Sequence, residues 1–229
     1  MTTLARVFKP PFRLIINGPS RTGKTSALRK IVYGLSGQFD KICVNSENAL
    51  ENNAYDFASN LMEGACLDRI MAIIDYQKKR VSKKQPLLKI LFIIEDYQSI
   101  YGSSKDMSRL FVTARQYQIS LVAVTHRLSQ VPAMVRDNAT HLLITSRPRA
   151  KDQTKLIANF TEVSEKELEE AFSKIRLGQP LLLQPRTTDL LFLTVEKAFR
   201  TKELDDYRDE EEEEENESEE ESEDDDFYE

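Results

Sequence analysis

The run Gly18-Pro-Ser-Arg-Thr-Gly-Lys-Thr25 restricts the possible folds of this chain more than any other feature. Two glycines stand five positions apart, and lysine and threonine follow the second one. An apolar segment at 12–17 precedes the run, and residues 25–35 have the character of a helix. A strand, a glycine-containing loop and a helix in this order form a phosphate-binding loop, or P-loop, in which backbone N–H groups and the positive end of the helix face an anion. The run therefore predicts a P-loop in an α/β domain.

The rest of the sequence alternates between segments typical of strands and of helices. Beyond 12–17, the strand segments are 40–45, 90–94, 119–124 and 139–145, and the helical segments are 25–35, 54–80, 107–117 and 150–175. Two further apolar segments, 181–184 and 190–195, predict an antiparallel hairpin. Such alternation predicts a mostly parallel sheet with helices on both faces. We therefore expect a three-layer α/β sandwich of the P-loop NTPase class with a C-terminal antiparallel hairpin.

The net charge of −6 averages two unlike parts of the chain. Residues 203–229 contain 19 of the 38 acidic residues and one of the 32 basic ones, Arg208. Residues 1–202 are left with 31 basic and 19 acidic residues, a net charge of +12. A basic body is suited to bind polyanions, whereas a dense acidic run cannot bury a core of its own. We therefore expect a P-loop domain over 1–202 and a disordered acidic tail over 203–229.

Cysteine and histidine are too scarce for a disulfide framework or a zinc cluster. The chain has only Cys43, Cys66, His126 and His141 as residues of these two types. No apolar run approaches the length of a membrane span, and the N-terminus lacks the apolar region of a signal peptide. We therefore expect an intracellular protein without a membrane segment.

The P-loop is expected to bind the phosphates of a nucleoside triphosphate. Its glycines allow the backbone to point successive N–H groups at phosphate oxygens. Lys24 is expected to reach the β- and γ-phosphates, and Thr25 is expected to bind Mg²⁺. The full set of expected nucleotide contacts is Gly18, Pro19, Ser20, Arg21, Thr22, Gly23, Lys24, Thr25 and Ser26.

Two adjacent acidic residues, Glu95 and Asp96, follow the apolar strand 90–94. Open α/β sheets bind their ligands at this carboxyl edge. Nucleotide hydrolysis needs one carboxylate near Mg²⁺ and often a second that polarises the attacking water. We assign Glu95 to the magnesium shell and Asp96 to the water, and the reverse assignment stays open.

Further candidates for catalysis follow from position. His126 lies at the end of the fourth strand, two residues past 124, where a polar side chain can contact the γ-phosphate or orient the water. A packed or capping histidine is the alternative. Phosphoryl-transfer ATPases often complete their site with an arginine from a neighbouring subunit. The arginines available for this role are Arg109, Arg115, Arg127, Arg136 and Arg147.

The order of these motifs resembles the FtsK–HerA branch of P-loop ATPases, and within it the genome-packaging ATPases of poxvirus-like, virophage and Maverick-type viruses. The resemblance covers about 12–200 and rests on the P-loop, on Ile93-Ile-Glu-Asp96, on 113–126 and 131–139, and on the closing hairpin. It implies a RecA/FtsK-like fold. It also implies that Arg115 acts in trans as an arginine finger and that His126 stands at a sensor position usually held by glutamine. Glu95 stands where the family usually has aspartate.

The resemblance implies an ATPase that forms a homo-oligomeric ring and drives double-stranded viral DNA into a capsid, with ATP and Mg²⁺ as its ligands. The basic body agrees with a DNA partner, and contacts are expected to the DNA backbone without sequence specificity. Candidate segments are 78–84 and 147–151. A capsid protein is a further candidate partner, for which 227–228 at the end of the tail offers an anchor. The expected place of action is the virion or the host assembly site, and 78–84 also fits a nuclear import signal.

Other functions stay open on the residues alone. A helicase or helicase loader would share the P-loop and the acid pair. A small-molecule phosphotransferase usually carries an arginine-bearing lid, which the sequence does not indicate. A scaffold would bind the nucleotide without hydrolysing it. DNA-stimulated hydrolysis separates the DNA-linked ATPases from the other two classes.

Overall fold

Ten strands form one sheet in the computed structural model, which describes residues 2–47, 49, 55–102, 104–148, 151–193 and 197–200. Their bounds are β1 Thr2–Thr3, β2 Arg13–Asn17, β3 Lys41–Ser46, β4 Asn60–Glu63, β5 Ile90–Ile94, β6 Ile119–Thr125, β7 His141–Ile144, β8 Leu181–Leu183, β9 Leu190–Leu193 and β10 Lys197–Arg200. The order across the sheet is β1-β10-β9-β8-β7-β2-β6-β5-β3-β4. The six strands from β7 to β4 in that order are parallel. The other four continue the sheet in antiparallel pairs, which confirms the predicted hairpin.

Helices lie between the strands along the chain. Their bounds are α1 Leu4–Val7, α2 Lys24–Gly34, α3 Leu67–Ser82, α4 Tyr97–Ile100, α5 Lys105–Thr113, α6 Ala133–Asp137, α7 Lys151–Ala158 and α8 Glu165–Ser173. Two short 3₁₀ turns cover Ala114–Tyr117 and Leu128–Gln130. Helix α8 starts with a capping box, in which Ser164 and Glu167 each bind the other's backbone N–H group.

Both faces of the sheet are covered, as successive side chains of β2 demonstrate. Ile15 packs into a core with apolar residues of α3, α5, α6, α7 and α8. Leu14 and Ile16 pack into a second core with α1 and α2. Because side chains alternate along a strand, a sheet buried on both faces has strands that are apolar throughout. The predicted three-layer sandwich is thereby confirmed.

The predicted helix over 54–80 is wrong before Leu67. Residues Asn60–Glu63 form β4, which pairs in parallel with β3 at the edge of the sheet. The Asn45 side chain donates hydrogen bonds to the carbonyl oxygens of Met62 and Gly64, at 3.1 and 2.8 Å, and so holds the end of this strand. Gly64 has φ of +62°, which breaks any helix running through it. Tertiary pairing therefore overrides the helical pattern here.

Three other boundaries differ from the sequence predictions. The helix predicted to end at 80 extends to Ser82, so most of segment 78–84 belongs to α3. The helix predicted at 107–117 is divided into α5 and a 3₁₀ turn, and Gln118 ends it with φ of +56°. The predicted helical stretch 150–175 consists of α7 and α8, separated at 159–164.

The predicted domain boundary at 202 and the acidic tail 203–229 lie outside the described residues. Among the helices of the described part of the chain, none has the length and apolarity that crossing a bilayer requires.

Candidate active site

The P-loop joins β2 to α2 at the carboxyl edge of the parallel strands. The Gly18 N–H group donates to the Thr125 carbonyl oxygen at 3.2 Å, which ties the start of the loop to the end of β6. A Cβ atom on Gly18 would lie 2.1 Å from the Thr145 hydroxyl oxygen, so only glycine fits. Gly23 precedes α2 with φ of +83°, in the left-handed region. Both glycines are thus required by the path of the loop, as the sequence predicts.

Lys24 is the charged centre of the loop. Its ammonium group donates to the Pro19 carbonyl oxygen at 2.9 Å and lies 3.3 Å from Nδ1 of His126. The residue is only 9% exposed. Burial lowers the pKa of Lys24, and the nearby Asp96 and Glu95 carboxylates oppose that effect. A buried cation beside backbone N–H groups is suited to bind a multiply charged anion.

Thr25 and Glu95 meet at the first turn of α2. The Thr25 hydroxyl donates to Oε1 of Glu95 at 3.3 Å. Burial raises the pKa of Glu95, and the Asp96 charge raises it further. The Tyr55 hydroxyl, which lies beside the carboxylate without full hydrogen-bond geometry, lowers it, as do Thr25 and Lys24. A hydroxyl and a carboxylate oxygen at this distance are hard ligands of the type that Mg²⁺ prefers, so the pair fits the predicted magnesium site.

The Asp96 carboxylate and the His126 imidazole meet on the open side of the site. Nε2 of His126 lies 2.9 Å from Oδ1 of Asp96, and the side chains are 44% and 41% exposed. Asp96 has φ of +47°, a left-handed conformation that aspartate tolerates better than most residues. The turn after β5 therefore separates the two acids, with Glu95 directed at Thr25 and Asp96 at His126. The structure brings Lys24, Glu95, Asp96 and His126 together as the sequence predicts.

The remaining P-loop residues surround this centre. Pro19, Ser20, Arg21 and Ser26 are exposed. The Thr22 hydroxyl donates to the Pro19 carbonyl oxygen at 2.8 Å and lies 2.6 Å from the Thr145 hydroxyl. The loop is therefore held in shape by its own side chains and open on its outer side.

The candidate arginines are spread over the molecule. Arg127 follows His126 at the carboxyl edge and is exposed. Arg147 pairs with Glu169 at 3.0 Å, Arg109 lies 3.9 Å from Asp106, and Arg136 donates to the Val131 carbonyl oxygen.

The structure does not bring Arg115 to the site of its own chain. It is exposed on the 3₁₀ turn before β6, at the amino edge of the sheet and thus opposite the P-loop. Its charge adds to the effect of burial in lowering the pKa of Arg13, which starts β2 at that same edge. This position rules out contact with the nucleotide of its own chain, and action in trans stays a prediction.

A family match spans most of the chain. Residues 3–177 match the family described as Poxvirus A32 protein. The chain belongs to the poxvirus A32 family. The predicted resemblance to poxvirus-type proteins is therefore confirmed. No curated protein matches the chain in sequence.

Solved structures similar to this A32-family chain share its fold at low identity. The genome packaging NTPase B204 of Sulfolobus turreted icosahedral virus 2, in complex with ATPγS, is 14% identical with a TM-score of 0.58, over 78% of this chain and 94% of that chain. The pCW3 conjugation coupling protein TcpA, with ATPγS, is 14% identical with a TM-score of 0.61, over 83% and 61%. EssC from Geobacillus thermodenitrificans is 12% identical with a TM-score of 0.59, over 83% and 40%. This chain spans less than two thirds of TcpA and EssC. The likeness supports the predicted P-loop NTPase fold.

Sequence reasoning missed two residues of the A32-family site. Thr145 follows β7 and supports the loop through Thr22 and through the Asn17 carbonyl oxygen, 3.3 Å away. Its place at the carboxyl end of the predicted strand 139–145 is a signal that could have identified it. Tyr55 lies against Glu95, but the prediction of a helix from residue 54 gave no reason to place it there.

A cavity of about 320 Å³ lies on the α6 and α7 side of the sheet, and its lining includes none of Lys24, Glu95, Asp96 and His126. It is bordered by Ile15, Leu142 and Phe160 and by the cations Arg136 and Arg186.

Proposed function

We propose that this protein is an ATPase that drives double-stranded viral DNA into a capsid. One observation carries the proposal: a buried lysine, a hydroxyl–carboxylate pair and an aspartate–histidine pair converge at the P-loop. This set supplies phosphate binding, metal binding and water activation in one place. Membership of the poxvirus A32 family, and the fold shared with the genome packaging NTPase B204, support the packaging role.

The P-loop binds the triphosphate chain of ATP. Backbone N–H groups of 20–26, at the N-terminus of α2, face the phosphates, and Lys24 exchanges its contact with the Pro19 carbonyl for phosphate oxygens. Thr25 and Glu95 are the residues that would hold Mg²⁺, which when bound neutralises charge on the phosphates. Because Glu95 is directed at Thr25, it is better placed for the metal than Asp96 is.

Asp96 is the residue that orients and polarises the attacking water. Its carboxylate is accessible, and the contact with Nε2 of His126 fixes its orientation. Nδ1 of the same imidazole lies 3.3 Å from the Lys24 ammonium, so His126 links the water side of the site to the phosphate side. This position fits a sensor of the γ-phosphate. Product release then alters the contacts of His126, which gives the protein a means to couple hydrolysis to movement.

The basic body is proposed to contact the DNA backbone, and subunits are proposed to assemble as a homo-oligomeric ring that docks on a capsid protein. Lys79, Lys83 and Lys84 at the end of α3 are exposed and in no ion pair among the described residues, which supports the predicted contact at 78–84. The other predicted segment, 147–151, is only partly described. The place of action is the virion assembly site inside the host cell, including its nucleus.

The test is the ATP hydrolysis rate with and without double-stranded DNA at low and moderate salt. We expect DNA to raise the rate, and Lys24→Ala to abolish hydrolysis because the triphosphate loses its main cation. Lys166→Ala, an exposed lysine on α8, is the control and should behave as the wild type. An assembled protein whose hydrolysis rate does not respond to DNA would contradict the packaging role. ATP hydrolysis by Lys24→Ala would contradict the role of Lys24 in binding the triphosphate.

A further inference from the structure

The loop before β8 carries an exposed apolar side chain beside the P-loop. Leu177 is 79% exposed, the largest value among the big apolar side chains of the described residues. One of its methyl carbons, Cδ1, lies 3.3 Å from the position that a Cβ atom on Gly23 would occupy. An isolated exposed leucine on a protein surface is ordinary, but one placed against a ligand loop is a candidate contact for that ligand.

The turn that presents Leu177 is firmly built. Arg176 and Gln179 form an antiparallel bridge, and the Gln179 N–H group donates to the Arg176 carbonyl oxygen at 3.1 Å. Gly178 has φ of +88°, so the turn needs glycine at this corner. Lys30 of α2 donates to the Gly178 carbonyl oxygen at 3.3 Å and ties the turn to the helix that follows the P-loop. These contacts fix the backbone of the turn, and with it the position of Leu177 beside the P-loop.

The topology fixes which end of a nucleotide this turn faces. In the sheet, β6 and β5 lie on one side of β2, and they carry His126, Glu95 and Asp96 at their carboxyl ends. The turn at 176–179 leads into β8, which lies on the other side of β2, beyond β7. Leu181 pairs with Ile144 at the carboxyl edge, so the turn and the P-loop share that edge. A triphosphate whose terminal phosphate points at the acids must place its nucleoside towards β7 and β8.

We propose that the Leu177 turn is the nucleoside-binding wall of the site, where the Leu177 side chain packs against the base and ribose of the bound nucleotide. The inference rests on the proposed function only in taking a nucleoside triphosphate as the ligand. An apolar contact of this kind adds affinity for the nucleoside without contributing to phosphate binding. The phosphates of the ligand then lie on the P-loop, and its nucleoside lies on the turn at 176–179.

The experiment compares two ligands, ATP and inorganic tripolyphosphate, by calorimetry on the full chain. We expect Leu177→Ala to weaken ATP binding roughly tenfold, the effect of losing a few buried methyl groups, and to change tripolyphosphate binding less than about twofold. Leu177→Met should retain the affinity for ATP. Met134→Ala, at an exposed apolar residue of α6, is the matched control and should change neither affinity.

A second measurement does not depend on the alanine variant. In methyl NMR spectra of the wild type, the Leu177 signals, identified by their loss in Leu177→Met, should shift with ATP and stay in place with tripolyphosphate. Equal weakening of both ligands in Leu177→Ala, or no weakening of either, would overturn the inference, as would unshifted methyl signals with ATP. These outcomes are distinct from failure of the proposed function, which is decided by DNA-stimulated hydrolysis and by Lys24→Ala.

Discussion

The Glu95 carboxylate occupies a position that is unfavourable for a charged group when no cation is bound. It lies at the end of a fully buried strand, and burial is the largest cause of its raised pKa. The Tyr55 hydroxyl, the Thr25 hydroxyl and the Lys24 charge lower the pKa and offset the effect of burial only in part. A carboxylate with a raised pKa is less stable in the folded protein than in the unfolded chain at neutral pH. The same property makes it a strong ligand for a cation that enters the site.

Glu95→Gln should therefore stabilise the ligand-free protein while abolishing hydrolysis. Glutamine keeps the shape and an oxygen for Thr25 but removes the buried charge. We expect Tm to rise by about 2–4 °C at pH 7, the effect of ~1 kcal/mol in a chain of this size. Since the folded pKa is raised, the destabilisation by Glu95 is absent below the ordinary value of 4.5 and grows as pH rises through the folded pKa.

The measurement is thermal unfolding of both proteins without nucleotide between pH 4 and pH 8. The Tm difference should be small at pH 4 and larger at pH 7. Glu162→Gln, outside the site, provides the control for loss of one charge. A variant that is less stable than the wild type at pH 7 would contradict the interpretation of Glu95 as a charge strained by burial.

At the scale of elements, a buried histidine of β7 joins the central sheet to the N-terminal helix α1. His141 is 5% exposed, its Nε2 lies 3.2 Å from the Val7 carbonyl oxygen, and its ring is 4.7 Å from that of Phe8. Burial lowers the pKa of His141 to about 4, although the Val7 carbonyl opposes the shift. The neutral imidazole is thus part of the contact between β7 and α1.

Acid should weaken this contact in a defined pH range. Because the pKa of His141 is lower in the folded protein than its ordinary 6.5, its contribution is complete above pH 6.5 and is lost as pH falls towards 4. The complete loss of this contribution lowers the free energy of unfolding by about 3 kcal/mol. In urea unfolding, the wild type should lose stability between pH 6.5 and pH 4 more steeply than His141→Gln. His126→Gln, at an exposed histidine, should retain the steep dependence, and equal slopes in all three proteins would contradict the role of His141.

The end of α3 is a basic element with little internal neutralisation. Lys78 pairs with Asp75 at 3.0 Å, and Arg80 donates to the Pro86 carbonyl and the Tyr76 hydroxyl oxygens. Lys83 and Lys84, just past the helix, have no ion pair among the described residues. Their charges are therefore available to phosphates.

Lys83→Glu/Lys84→Glu should weaken DNA binding and leave DNA-free hydrolysis unchanged, because both positions are far from the P-loop. Each lost phosphate contact reduces the slope of log K against log salt by about 0.9, so the double variant should reduce it by roughly 2. Fluorescence anisotropy of a DNA duplex over a salt series measures this slope. Lys9→Glu/Lys166→Glu makes the same change in charge at other exposed sites. An unchanged slope in the α3 variant would exclude this element from the DNA contact.

The elements differ in how far the sequence predicts them, for a physical reason. Strand β5 is predicted with its exact bounds because a strand buried on both faces is an uninterrupted apolar run. Strand β4 was not predicted. Met62 is its only fully buried residue, because a strand at the edge of a sheet does not need an uninterrupted apolar run. The position of Tyr55 beside Glu95 was not predicted either, because the same segment was predicted to be a helix. The P-loop and the acid pair were predictable because their spacing is local, whereas Thr145 and Leu177 reach the site only through tertiary packing.

At the scale of the whole molecule, the two edges of the sheet have different chemistry. The carboxyl edge holds Lys24, Glu95, Asp96 and His126. The amino edge presents Arg115, with the like charge of Arg13 nearby. A head-to-tail contact that places the amino edge of one subunit against the carboxyl edge of the next would bring Arg115 to a neighbour's nucleotide, and such contacts close into rings when the rotation allows.

This geometry predicts complementation between two inactive proteins. Arg115→Ala should bind ATP normally but lose hydrolysis by about 10³-fold or more, as expected for an arginine finger. Lys24→Ala lacks a working site but still offers Arg115 to its neighbour. An equimolar mixture, assembled together, should recover roughly a quarter of the wild-type rate, because half of the sites are intact and half of their neighbours supply the arginine.

The control is Arg109→Ala, which removes an exposed arginine of α5 and should stay active alone. A mixture no more active than its components would exclude Arg115 from action in trans, since a residue acting within its own chain cannot be supplied by another subunit.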